Sequence, residues 1–358
     1  MRQVAVVTTG FFDGVHLGHR HVLERLVSSA RERGEEALVV TFWPHPRTVL
    51  QQDARDFRLL TSIEEKRELL LGCGVDRVEV LPFTRSFAAL TAEEYLRLLH
   101  DRFGATLVVM GYDNRIGSDR RTAADLAGRF APKAAHCSGT PHPSDAPAPP
   151  NVSCVPALLE LVSVGPLPTD WDNGAPENLR FTGCFAGGGH VRCNERLSSA
   201  SATSAPPVIP SEAKESISST RIRQALLAGA VEPAAAMLGY RYQLHGVVVA
   251  GNRKGRTIGF PTANMQLYEP LKLVPGNGVY AVEVEVLGAQ YRGMCNIGTR
   301  PTVGGTTRTI ETNIFDFDED IYGLPLRLRF IRRIRDERRF ASLDNLRTQL
   351  ERDRQACR

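Results

Sequence analysis

Two clusters in this chain have the composition of phosphate chemistry. The first is TTGFFDGVHLGH, residues 8–19, in which Gly10, Gly14 and Gly18 alternate with Phe12, Asp13, His16 and His19. Glycines let the backbone turn tightly and present its N–H groups to an anion, and two imidazoles three residues apart can donate hydrogen bonds to a charged phosphorus centre. The second is GNRKGRTIGFPTAN, residues 251–264, where Gly251, Gly255 and Gly259 share nine positions with Arg253, Lys254 and Arg256. It is not a Walker loop, because G-x-x-x-x-G-K-[ST] is missing. Beside Pro261 stand Thr262 and Asn264, whose side-chain oxygens suit a hard cation such as Mg2+ that keeps phosphate and water as its other ligands. Further on, RTIETNIFDF alternates, so Glu311 shares a strand face with Thr309 and Asn313. A carboxylate in that position can take a proton from an alcohol as a phosphoryl group arrives.

The elements around these clusters place them. VAVVTT before the first cluster reads as a strand, and GHRHVLERLVSSARERG after it as an amphipathic helix capped by Gly34. A strand-to-helix turn is where open α/β sheets bind nucleotides, and a helix N-terminus favours phosphate. A single His there would most simply be a cap; glycine spacing and location together favour a functional pair. Zinc is disfavoured, since no third ligand follows at a usual spacing. ALVVTFW, VEVLPF and ATLVVMG read as three more strands, with Ser62/Glu65 and Thr91/Glu94 as capping boxes for the helices after them. Asp113, at the end of the fourth strand, can orient Mg2+ or a nucleotide, or simply form a turn.

From residue 131 to 212 the periodicity vanishes, and thirteen of the 22 Pro fall in this stretch with only eleven charged residues. Such text buries too little apolar surface to offset chain entropy, which predicts a mobile insertion with PALLELVSV as an ordered island. Its Cys184, His190 and Cys193 fit no zinc spacing. ISSTRIRQALLAGAVEPAAAMLG resumes as two short helices. After Tyr240 a period of two gives about five strands, a small antiparallel barrel, and SLDNLRTQLERD closes the sequence as a helix capped by Ser342.

With 42% hydrophobic and 23% charged residues, the 358-residue chain is neither fibrous nor wholly disordered, and a net charge of +4 does not suggest a nucleic-acid coat. No apolar run is long enough for a membrane span, and the start lacks the order of a signal peptide. Seven Cys without C-x-x-C pairs are expected as reduced thiols. The expectation is a cytoplasmic protein without nucleic-acid or membrane partners; protein partners are not legible.

G-x-F-D-G-x-H-x-G-H resembles the nucleotidylyltransferase signature of prokaryotic bifunctional riboflavin kinase/FMN adenylyltransferases, or FAD synthetases. TFWPHP, LTSIEEK, GVDRVEVLPF and ISSTRIR are similar to further segments of that family's first module. GFPTAN, NGVYAV, NIGTRPT, ETNIFDFDEDIYG and FIRRIRDERRF resemble its kinase module. The resemblance implies a Rossmann-like α/β adenylyltransferase module over residues 1–130 and 213–240 and a β-barrel kinase over 241–358. It implies that ATP phosphorylates riboflavin to FMN and then adenylylates FMN to FAD, releasing pyrophosphate, with Mg2+ as cofactor. His16, His19, Ser219, Thr220 and Arg223 would hold ATP phosphates, Thr262 and Asn264 the magnesium–ATP site, and Glu311 would be the general base. One departure is GYDNRIG where the family has G-x-D-F-x-F-G: Gly111, Asp113 and Gly117 are kept, while Asn114 and Ile116 replace the aromatics. Two alternatives therefore stay open, a riboflavin kinase with an impaired adenylyltransferase module and a non-catalytic flavin sensor.

Overall fold

A computed structural model of the chain describes residues 4–50, 57–130, 159–166, 217–251, 255, 258–302 and 305–358. They fall into two compact units, Met1–Phe57 with Ile63–Pro168 and Arg58–Ser62 with Thr169–Arg358.

The first unit runs β1 (Ala5–Thr9), α1 (Leu17–Arg33), β2 (Glu36–Trp43), α2 (Pro46–Leu50), α3 (Ile63–Gly72), β3 (Arg77–Pro82), α4 (Arg85–Ala88), α5 (Ala92–Phe103), β4 (Ala105–Gly111), α6 (Ala123–Phe130) and β5 (Glu160–Val164). Its strands are all parallel in the order β3-β2-β1-β4-β5. Every residue of β1 is buried, as a strand covered on both faces must be. The caps form as the residue types dictate. Gly34 turns left-handed at φ 67 to close α1, and Thr91 and Glu94 exchange both bonds of a capping box at α5. The chain adds β2 and β3 on one side of β1, then crosses to add β4 on the other. The order thus reverses between β1 and β4, which opens a crevice at their carboxyl ends.

Within residues 131–212 the ordered island expected at PALLELVSV is a strand, β5. Leu159 is 1% exposed, and β5 pairs with β4 from Leu107↔Glu160 to Gly111↔Val164. The short β-branched run extends the sheet by one strand despite its Pro-rich flanks. Cys184, His190 and Cys193 lie outside the described residues.

The second unit contains α7 (Ser219–Leu227), α8 (Val231–Leu238), β6 (Gln243–Val249), β7 (Ala263–Leu267), β8 (Gly278–Val286), β9 (Ala289–Thr302), β10 (Gly305–Ile314), β11 (Pro325–Arg335) and α9 (Leu343–Cys357). The strands close a barrel in the order β10-β7-β6-β11-β8-β9, every pairing antiparallel. Six strands stand where about five were expected. The extra one is β7, whose first two residues, Ala263 and Asn264, end the glycine-rich stretch 251–264. Leu244, Val282, Ile297, Ile310 and Phe330 fill the interior, and Ile222, Leu226, Val231 and Leu238 of α7 and α8 join the same core. Ser342 caps α9 by accepting the Asn345 N–H at 3.2 Å. Arg335 of β11 grips the buried Asp353 of α9 with Nε at 2.9 Å and Nη2 at 2.7 Å.

Candidate functional site

In the first unit the turn after β1 lies at the crevice and is wound against its own preferences. Phe12, Gly14 and Val15 all have positive φ, at 44°, 87° and 38°. Glycine accepts this freely, whereas a β-branched Val does not, so surrounding contacts must hold the turn. Gly10 N–H donates to the Val40 carbonyl at 3.1 Å, Val15 N–H to Phe12 O at 3.1 Å, and the buried Arg20 donates from Nε to Val15 O at 3.2 Å. Arg20 was not singled out from sequence; its position five residues past a strained carbonyl has no motif signature.

His16 caps α1, its Nδ1 accepting the His19 N–H in a long bond of 3.4 Å. An Nδ1 that accepts leaves Nε2 to carry a ring proton and donate it to a ligand. The cap reading and the site reading are thus both satisfied by one residue. The His19 ring stacks on His16 at 3.7 Å between centroids, and Phe12 stands edge-on to it. Burial first, then His16, then Lys66 push the His19 imidazole well below its ordinary range, so His19 is neutral. His16 and Asp13 are buried, at 6% and 4% exposure. Lys66 of α3, also unmarked by the sequence reading, is 2% exposed; burial pushes its ammonium below its ordinary range, and the charge of Asp13 works against that push.

The altered β4 loop is accounted for locally. Ile116 is buried in the first unit's core, and Asn114 donates from Nδ2 to the Thr9 carbonyl at 3.1 Å, tying β4's end to β1's across the crevice. Asp113 is exposed beside Gly111. A half-buried aromatic wall is present on the β2 side: Phe11 contacts Phe42 and His45 at 5.1 Å and Phe83 at 5.5 Å. The separation of these residues in sequence hid it.

In the second unit Glu311 lies directly opposite Asn264 of β7 and Asn296 of β9, so the three side chains line one face across three strands. Ile310 and Ile314 point into the barrel, and the alternation puts Thr309, Glu311 and Asn313 on its other face, as expected. Asn313 Nδ2 donates to the Pro261 carbonyl at 2.6 Å, which fixes the turn carrying Thr262. Asn296 was missed because register is a tertiary fact. The preceding loop closes on the same place. A Cβ at Gly251 would lie 2.1 Å from Asn264 Nδ2, so only glycine allows the backbone to rest on that amide. Gly255 O accepts the Phe260 N–H at 2.8 Å, and Gly259 turns at φ 83. Lys254 lies outside the described residues. Ser219, Thr220 and Arg223 occur on α7, which is capped by Ser218, and Arg223 Nε donates to the Arg58 carbonyl at 2.8 Å.

Comparison with known proteins matches a family to each end of the chain. The FAD synthetase family matches residues 1–142 and the riboflavin kinase family residues 238–358. The bifunctional riboflavin kinase/FMN adenylyltransferase of Bacillus subtilis (strain 168) is 32% identical over 98% of this chain and 90% of its own length. This chain belongs to that bifunctional family. The Escherichia coli (strain K12) member is 34% identical over 99% of this chain and 91% of its own. The crystal structure of a macrolide-efflux protein from Streptococcus pneumoniae shares 30% identity at a TM-score of 0.75, covering 100% of this chain and 94% of that one. Its name speaks of efflux; in this chain no described helix is long and apolar enough to cross a membrane. The α/β module and the closed barrel expected from sequence are those the family unites.

No group of three or more His, Cys, Asp or Glu gathers as a metal cage among the described residues. Thr262, Asn264 and Glu311 offer a hydroxyl, an amide and a carboxylate, hard oxygen donors in a set small enough to leave most of a Mg2+ shell to phosphate and water. Those residues fit the ion.

Proposed function

We propose that the family's two reactions are divided between the units: riboflavin is phosphorylated on the face of the barrel carrying Glu311, and FMN is adenylylated at the β1–α1 turn. The observation that carries the division is the pairing of Glu311 with Asn264 directly across from it, beside Gly251, where a side chain would strike the Asn264 amide.

At the barrel, Thr262 and Asn264 would hold Mg2+ with the ATP phosphates, and the ion when bound offsets charge on the transferring phosphoryl group. Glu311 accepts the proton of the riboflavin primary hydroxyl as that oxygen bonds to the γ-phosphorus and the bond to ADP breaks. A positioned base of this kind contributes about 100- to 10,000-fold. Gly251, Gly255 and Gly259 shape the loop, and Lys254 supplies its positive charge.

At the β1–α1 turn, an oxygen of the FMN phosphate attacks the α-phosphorus of ATP and pyrophosphate leaves; no covalent enzyme intermediate is needed. Gly10, Gly14 and Gly18 let the turn close on phosphate, Phe12 supports His19 edge-on, and Asp13 balances buried positive charge. His16 and His19 donate hydrogen bonds to phosphate oxygens. Asp113 orients Mg2+ or nucleotide, while Ser219, Thr220 and Arg223 serve ATP in the same step. By this reading residues 213–240 work in the adenylyl reaction although α7 and α8 share the barrel's core.

The test is to supply riboflavin or FMN in parallel, with ATP and Mg2+, and separate the flavins. Glu311→Gln should abolish FMN formation and keep FAD formation from FMN. His16→Ala with His19→Ala should do the reverse. Loss of both products in either variant, with the fold intact, would defeat the division.

A further inference from the structure

The β1–α1 turn contains a charge that the two imidazoles do not explain. Lys66 reaches the site from α3 and is 2% exposed, next to an Asp13 that is 4% exposed. Moving an ammonium out of water costs several kcal/mol unless it is paired, and one carboxylate offsets only part of that. The pair sits beside the left-handed turn of Phe12, Gly14 and Val15 and the stacked His16 and His19. His19 Nδ1 is buried with no hydrogen-bond partner among the described residues, an orphan that marks the pocket as incomplete without a ligand.

The chemistry of adenylyl transfer supplies a reason for a full positive charge there. As the FMN oxygen bonds to the α-phosphorus, the bond from that phosphorus to the bridging oxygen breaks, and its electron pair leaves on pyrophosphate. No proton has to move. A neutral imidazole such as His19 donates a hydrogen bond to this oxygen, but only a cation offsets the charge that grows on it. Arg20, bonded through Nε to the Val15 carbonyl, is a second buried cation at this turn, so Lys66 does not carry the charge alone.

We propose that Lys66 is a third contact of the ATP polyphosphate, its ammonium passing from Asp13 to the pyrophosphate as that group departs. This rests on the reading of the β1–α1 turn as the adenylylation site. The reverse reaction, FAD with pyrophosphate giving FMN and ATP, separates the two ligands. Lys66→Gln should raise the KM for pyrophosphate about 10-fold or more and lower the forward kcat about 100-fold, the loss typical of one charge-stabilising donor. The KM for FAD and the rate of riboflavin phosphorylation should stay within about twofold, which also shows that the preparation is folded. Lys66→Arg keeps the charge and should hold the pyrophosphate KM within about threefold; it carries the test alone if Lys66→Gln does not fold.

An unchanged pyrophosphate KM in Lys66→Gln, a KM for FAD that rises in step with it, or an Arg variant as poor as the Gln variant would overturn the proposal. If His16→Ala with His19→Ala left FAD synthesis intact, the site reading itself would fail, whatever Lys66 showed.

Discussion

Gly251→Ala is a small change with a large consequence worked directly from the geometry. The new Cβ would stand 2.1 Å from Asn264 Nδ2, 2.6 Å from its Cγ and 2.9 Å from its Oδ1, where ordinary contact begins at 3.4 Å. The shortfall at Nδ2 is roughly 1.3 Å, and β7 cannot supply it by sliding, because Asn264 is in register with both Val249 and Glu311. The amide must therefore rotate off the face it shares with Glu311. Misplacing a positioning group by about 1 Å costs on the order of 100-fold in rate, or about 2.7 kcal/mol of barrier. The assay is FMN formation from riboflavin, read by chromatography beside FAD formation from FMN. The expected result is a kinase rate down about 100-fold and an adenylylation rate unchanged. A folded Gly251→Ala protein that keeps its kinase rate within about threefold would show that Asn264 is not part of the phosphorylation site.

Other consequences follow from the same geometry. Arg335→Met strands the Asp353 carboxylate at 1% exposure, so urea unfolding of the barrel should show a loss of about 3–5 kcal/mol. Replacing Asp353 with Leu as well should recover much of it, because an apolar pair of similar volume removes the buried charge. His19 remains neutral in the folded chain and protonates near its ordinary 6.5 once unfolded. Its contribution to stability is therefore whole above that pH and falls by up to about 1.4 kcal/mol per pH unit below it. Unfolding measured from pH 7 to 5 should fall less steeply in His19→Gln than in the parent. Asn114→Ala removes the bond to Thr9 O and should slow FAD formation from FMN several-fold, with FMN formation from riboflavin as the unchanged control.

What the sequence made legible was local. The strand–glycine turn–helix around His16, the caps at Gly34, Thr91 and Ser342, and the alternation through Glu311 each depend on residues a few positions apart. They could be read before any fold was known. The pairing of Lys66 with Asp13, the alignment of Asn264, Glu311 and Asn296, and the aromatic wall at Phe11 depend on strand order and register, which are set by tertiary packing. β7 was hidden because Ala263 and Asn264 end the glycine-rich stretch read for phosphate and metal, and β5 was legible only as an ordered island, its pairing with β4 being a tertiary fact. Asn114 and Ile116 looked like losses in the family's pattern; in place, one ties β4 to β1 and the other fills the core.

The central claim, two reactions on two sites of one chain joined by free FMN, is tested most directly by mixing two variants. Glu311→Gln alone should make no FAD from riboflavin, and His16→Ala with His19→Ala alone should stop at FMN. Mixed with riboflavin, ATP and Mg2+, they should make FAD after a lag during which FMN accumulates. A mixture that still makes no FAD, while Glu311→Gln converts added FMN normally, would contradict the account, because FMN made at one site would then not be reaching the other through solution.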